Sequence, residues 1–185
     1  GKVTADFAAH NLTLLPPIPA GSTIHDNAAG AGTVTRAILS GASGASSDIR
    51  IRATDIDQPF LDALQADVLA HSWPVDVSNQ RAEALSFPDA YFSHSITNIG
   101  IFFTTGGGLD GTREVYRTLQ PGGVAVLNCW ETLTWLLPFK QVHEVLRPGK
   151  PYPAPPILWN DGVQIQKVVR EAGFLAEKTR VERSE

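Results

Sequence analysis

The chain has 185 residues, 43% of them hydrophobic, and 15 Lys+Arg against 19 Asp+Glu, for a formal net charge of -4. This length suits one compact domain with its own core, and the mild negative charge argues against nucleic acid as the main partner, because phosphate binding wants a basic face. A lone cysteine, Cys129, excludes an internal disulfide framework and a Cys-rich metal site, and no apolar run approaches the ~20 residues that span a bilayer.

The acidic and His residues show no metal-ligand spacing, so no metal is expected. No membrane association is expected, and a cytoplasmic, reducing setting is the default. Gly1 to Asp6 does not form a signal peptide. The chain contains no methionine, which reads as a processed or truncated start.

After a Pro-rich stretch at 15–19, Ser22 to Asn27 reads as a short buried strand. Thr33 to Leu39 reads as a helix with Val34, Ala37 and Ile38 on one face, and 40–47 as a Gly-rich loop. Ile49, Ile51 and Ala53 alternate with Arg50 and Arg52, which predicts a strand with one solvated side. Gln58 to His71 is a predicted helix, with Asp57 as its N-cap and Pro59 at its start. Two further strands are expected at Trp73 to Val77 and Ala90 to Ile99.

Asp110 to Leu119 reads as a helix stopped by Gln120-Pro121-Gly122-Gly123. Val124 to Cys129 is almost continuously apolar, which predicts a centre strand buried on both faces. Phe139 to Leu146 reads as a helix near the pocket, and the Pro-rich stretch 146–156 falls outside the regular pattern. Asn160 or Asp161 caps a last helix that Gly173 ends, and Leu175 to Val181 reads as one more strand. Strands alternating with helices predict a single α/β domain over 1–185. It is a Rossmann-like, doubly wound, mostly parallel sheet in three α/β/α layers.

The chemistry begins where the first strand enters Asp26-Asn27-Ala28-Ala29-Gly30-Ala31-Gly32. Small residues let a backbone approach a ligand closely, and the following helix start offers unpaired N–H groups. Gly30-x-Gly32-x-x-Thr35 almost matches a dinucleotide fingerprint, but Thr35 stands where Gly or Ala is wanted. Asp26 would repel a pyrophosphate and suit a ligand carrying an ammonium and a sulfonium, or else it anchors the turn. Asp55, ending the next strand, is placed to accept ribose hydroxyls. With Asp26 and Thr35 as they are, and no Tyr-x-x-x-Lys pair, a nicotinamide-dependent oxidoreductase is disfavoured.

The stretch Asp26 to Gly32 resembles the first motif of class I S-adenosylmethionine-dependent methyltransferases, D-x-G-x-G-x-G. Asp55 resembles that family's second-strand ribose acid. Arg81-Ala82-Glu83-Ala84-Leu85-Ser86-Phe87-Pro88-Asp89 is similar to the D-A-E-x-L-P-F-P-D segment of the ubiquinone/menaquinone-biosynthesis type. Leu119-Gln120-Pro121-Gly122-Gly123 resembles its L-x-P-G-G. His25 to Ala28, Ser93 to Asn98 and Cys129-Trp130 resemble fungal methyltransferases of secondary metabolism and related regulators.

The resemblance implies S-adenosylmethionine as methyl donor, S-adenosylhomocysteine as product, and transfer to O, N or S of a small organic acceptor. It implies that Asp26, Asn27, Ala28, Gly30, Gly32, Asp55, Ile56, Arg81, Ala82, Asn98 and Ile99 border the cofactor, the last two near the methyl. Trp130, Trp135 and Trp159 are the expected acceptor walls, and His143 and Glu131 the candidate bases. Ala28 replaces the motif's first glycine, and Arg81 stands where an adenine-binding Asp is common. The family has seven strands, so a missing C-terminal strand is expected here. These departures motivate the alternative of a non-catalytic regulator or partner subunit, and the open sheet edge suggests a homodimer or a partner protein.

Overall fold

A computed structural model describes residues 1–42, 48–132, 136–153 and 157–183 of the chain. Five parallel strands form one sheet: β1 (Ser22–Asn27), β2 (Ile49–Asp55), β3 (Val75–Asn79), β4 (Phe92–Thr97) and β5 (Leu119–Leu127), in the order β3-β2-β1-β4-β5. The order reverses between β1 and β4, so the carboxyl ends of these two strands frame the topological switch point where such sheets bind ligands. The doubly wound α/β expectation holds.

Helices α1 (Lys2–Thr13), α2 (Thr33–Ala37) and α3 (Gln58–His71) pack on one side of the sheet. Their apolar faces meet the strands in one cluster that includes Ala8, Leu12, Val34, Leu64 and Val68 with Ile24, Ile51 and Ile96. Helices α4 (Leu109–Thr118) and α6 (Val163–Ala172) pack on each other, with Tyr116 edge-on to Phe174 at 5.0 Å and both Val115 and Val168 buried. Helix α5 (Leu136–Leu146) buries no side chain.

The sequence signals for caps hold. Asp57 accepts from the Phe60 N–H at 3.3 Å, and Gly173 closes α6 at φ 116°. Asp161 accepts from the Val163 N–H at 2.9 Å as α6 starts, although Gly162 occupies the cap position itself.

Two expectations are corrected and one helix was missed. Helix α1 was not legible, because its buried face is Ala8, Asn11 and Leu12 and so carries little apolar periodicity. Strand β5 is not a central strand: among the described residues β4 is its one neighbour in the sheet, and Val124 to Leu127 are only half-buried. Leu175 to Val181 is not a strand either. It holds a 3-10 turn, Ala176–Lys178, and among the described residues no strand lies alongside to complete a ladder.

A groove of about 1850 Å³ separates the free side of β5 from the segment 179–183, with α1 and α6 as further walls. Arg183 reaches back across its end to Glu131 at 3.4 Å.

Candidate active site

Strand β1 ends in a turn shaped by left-handed backbone at Ala28 (φ 54°), Gly30 (φ 53°) and Gly32 (φ 85°). Gly30 costs least there, and a Cβ on it would meet nothing within 4 Å, so its side of the turn is open. A Cβ on Gly32 would come within 2.4 Å of Leu64 Cδ1, so this glycine serves the close approach of α2 to α3. Ala28 keeps its methyl because Gly100 makes room: a Cβ on Gly100 would lie 2.5 Å from the Cβ of Ala28. The departure from the glycine motif at 28 is thus matched by a glycine at 100.

Asp26 does not face the open side of the turn. It is 1% exposed, and its Oδ2 accepts from the Thr35 N–H at 2.9 Å and the Thr35 hydroxyl at 2.6 Å. The carboxylate anchors the start of α2, the second of the two roles its place in the sequence allows. Burial pushes its pKa up to about 6 against the pull of the Thr35 bonds. Thr35, a mismatch in a dinucleotide fingerprint, is the partner this buried acid needs.

Asp55 joins the two halves of the site. Its Oδ2 accepts from the Gly30 N–H at 2.7 Å and its Oδ1 from the Asp57 N–H at 2.8 Å. Each oxygen keeps a further acceptor direction, which suits a ribose diol. Ile56 beside it is exposed. Asn27 is fully buried, with its Nδ2 donating to Thr97 Oγ1 at 3.0 Å and its Oδ1 lacking a partner among the described residues. Neutral His25 underlies the turn: burial lowers its pKa to about 3, and its ring stacks on Phe92 at 4.6 Å.

Arg81 pairs with Glu83 at 3.1 Å and Ala82 is half-buried next to it. The rest of that motif is structural. The Arg117 guanidinium bonds Glu114, Asp89 and the carbonyls of Leu85 and Phe87, while the Leu85 N–H donates to Glu114 at 2.8 Å.

Asn98 and Ile99 follow β4. The Asn98 side chain is spent on protein partners: Oδ1 accepts from Asn11 at 3.1 Å and from Asn128 at 3.0 Å, and Nδ2 donates to the Thr4 carbonyl at 3.0 Å. Ile99 has φ 58°, and its N–H donates to Asn128 Oδ1 at 2.6 Å. Asn11 and Asn128 were missed in the sequence, since single asparagines carry no spacing signal.

Among the expected acceptor walls, Trp130 meets Phe7 of α1 edge-on at 5.2 Å, and both line the groove. Trp159 also lines it, packed at 6.0 Å from Phe102 and against Gly108, where a Cβ would come within 2.5 Å of the indole. Trp135 lies outside the described residues. Glu131 is in the groove but paired with Arg183. His143 is not brought there: its Nε2 lies 3.2 Å from the Lys150 carbonyl and its ring packs edge-on to Tyr152 at 5.3 Å, tying α5 to the segment after it. Burial pushes the Cys129 thiol up to about 11, so it is no ready nucleophile. Among the described residues, no cluster of three or more His, Cys, Asp or Glu is placed to hold a metal, and no helix is long and apolar enough to cross a membrane.

With this geometry in place, the comparisons place the chain. The methyltransferase domain family matches residues 24–123, more than half of the sequence, and the chain belongs to that family. No curated protein matches it. Its fold is that of solved methyltransferases. A SAM-dependent methyltransferase from Aquifex aeolicus superposes with TM-score 0.66 at 15% identity over 90% of this chain and 78% of that one. A Haloferax volcanii complex with the Trm112 methyltransferase activator gives 0.67 at 18% over 93% and 69%. Phosphoethanolamine N-methyltransferase 2 of Haemonchus contortus, solved with S-adenosyl-L-methionine, gives 0.66 at 18% over 92% of this chain and 37% of that one.

Proposed function

We propose that the chain is the catalytic domain of an S-adenosylmethionine-dependent methyltransferase that acts on O, N or S of a small organic molecule, a secondary metabolite by its sequence flavour. The observation that carries this is the 2.7 Å bond from the Gly30 N–H to Asp55. It joins an open glycine turn to an acid on the neighbouring strand, at the switch point of the sheet.

The residues present fit the donor. Gly30 leaves space for close backbone approach, Asp55 offers acceptors to a ribose, and exposed Ile56 offers an apolar face to a base. The chemistry that S-adenosylmethionine supplies when bound is a methyl group activated by a sulfonium for in-line displacement. The protein positions the acceptor and excludes water, and Phe7, Trp130 and Trp159 give the groove aromatic walls for a flat acceptor.

The Arg81–Glu83 pair favours a second reading, a regulator that keeps the fold without turnover, since Arg81 offers no acceptor to an adenine amino group. The Haloferax complex includes an activator, and the groove beside β5 gives this chain a place where a partner protein or a second copy would meet it.

Calorimetric titration with S-adenosylhomocysteine and S-adenosylmethionine, with NADH as control, tests the reading. Micromolar binding of the first two is expected, reduced at least tenfold in Asp55→Ala. Binding of NADH alone, or of none of the three, sinks it. Binding with no methyl transfer to any acceptor selects the regulator.

A further inference from the structure

The turn after β4 stands between the glycine turn and the aromatic groove. On one side, Gly100 abuts the Ala28 methyl of the glycine turn. On the other, Ile99 and Asn98 are bonded to Asn128 and Asn11, both of which line the aromatic groove. Three asparagines from three elements therefore meet at one point: Asn11 on α1, Asn98 after β4 and Asn128 after β5.

This cluster holds a backbone that local preference opposes. A β-branched side chain at φ 58° is strained, and such a conformation persists only where its surroundings over-determine it. Here they do. Asn128 Oδ1 accepts the Ile99 N–H at 2.6 Å, and Asn128 Nδ2 donates to Asn98 Oδ1 at 3.0 Å and Asn11 Oδ1 at 3.4 Å. Asn98 then fastens to the Thr4 carbonyl, so α1 is held at both Thr4 and Asn11. Asn11 lies on the inner face of α1 and is 3% exposed, so its amide must find its partners within the protein.

We propose that Asn11, Asn98 and Asn128 are positioning residues: a three-amide clamp that locks the Ile99 turn in its strained form and so fixes the donor-side turn against the acceptor groove. The proposal rests on the methyltransferase reading above. Loosening the clamp lets Ile99 relax into an ordinary conformation, which moves Gly100 away from Ala28 and misplaces the floor of the donor site.

A double-mutant cycle on the Kd for S-adenosylhomocysteine, with Tm measured in parallel, tests it. Asn128→Ala is expected to weaken binding about tenfold, because its loss frees a strained residue. In an Ile99→Gly background the same change is expected to cost less than about twofold, since glycine holds φ 58° without help. Asn11→Ala acts in the same direction, from α1. Should Asn128→Ala fail to fold, Asn11→Ala carries the same cycle in its place, with a loss of affinity expected in the wild-type background and less than about twofold in the Ile99→Gly background.

Equal costs in the two backgrounds, or a lowered Tm with unchanged affinity, overturn the clamp and leave the methyltransferase reading intact. Failure of the wild-type protein to bind S-adenosylhomocysteine or S-adenosylmethionine overturns that reading, and the clamp with it.

Discussion

At the residue scale, the site works by complementary exchanges between positions far apart in sequence. Ala28 carries a methyl where the family motif has glycine, and Gly100 lacks the one that would collide with it. Gly100 itself has φ -123°, so only space forbids a side chain there. Gly100→Ala is therefore expected to destabilise the fold by about 1–3 kcal/mol through overpacking. Adding Ala28→Gly is expected to recover most of that loss, because it removes the clashing group. Urea denaturation of the two single variants and the double variant reads the coupling; additive losses would show that the two Cβ positions do not compete. Asp26 teaches a related lesson. Its position before the glycine turn was legible and left two roles open, facing a ligand or anchoring the turn; only the packing of α2 shows that Thr35 takes its carboxylate.

At the scale of elements, the segment 81–89 divides into two parts. Arg81 and Ala82 follow Gln80, whose N–H donates to the Asp55 carbonyl at 3.0 Å, while Leu85 to Asp89 are held on α4 by Arg117 and Glu114. Arg117 is only partly exposed and satisfies two main-chain carbonyls that would otherwise lose their partner. Arg117→Met is expected to cost about 3 kcal/mol in chemical denaturation. It should leave the Kd for S-adenosylhomocysteine within about threefold, because the clamp acts on the far half of the motif. A large loss of affinity with unchanged stability would reverse that division. The helices α3 and α6 were legible from periodicity and caps. Helix α1 was not, because Asn11 on its inner face is a polar residue whose partners, Asn98 and Asn128, lie 87 and 117 positions away.

At the scale of the whole molecule, two buried neighbours on β1 set opposing responses to acid. His25 is held neutral down to about pH 3, below its ordinary value of 6.5. The unfolded chain therefore takes up a proton that the folded one refuses, and stability falls as pH drops through that window. Asp26 is raised to about 6 from 3.8, so the folded chain takes up its proton first and stability rises as pH falls from 6 toward 3.8. Between pH 7.5 and 4.5 the two effects, each about 2–3 kcal/mol, largely cancel. His25→Gln is expected to gain about 2–3 kcal/mol relative to wild type over that interval, and Asp26→Asn to lose about 2 kcal/mol. Urea denaturation at the two pH values checks both signs; a shift of the same sign in both variants would show that these groups do not titrate as their burial demands.

The sequence by itself determined the α/β class, the order of its strands along the chain, the glycine turn, the Asp55 acid and the family-like motifs. Each of these is a local signal: alternation, helical spacing, a cap, or small residues at a turn. The tertiary structure decided which strand lies at the sheet edge, that Asp26 faces inward, that His143 stands away from the groove, and that Asn11, Asn98 and Asn128 meet. Those facts depend on contacts between residues tens of positions apart, and no local pattern encodes them. The physical reason is that a buried polar group must find its partner wherever packing puts one, so its role is settled only when the elements close on one another.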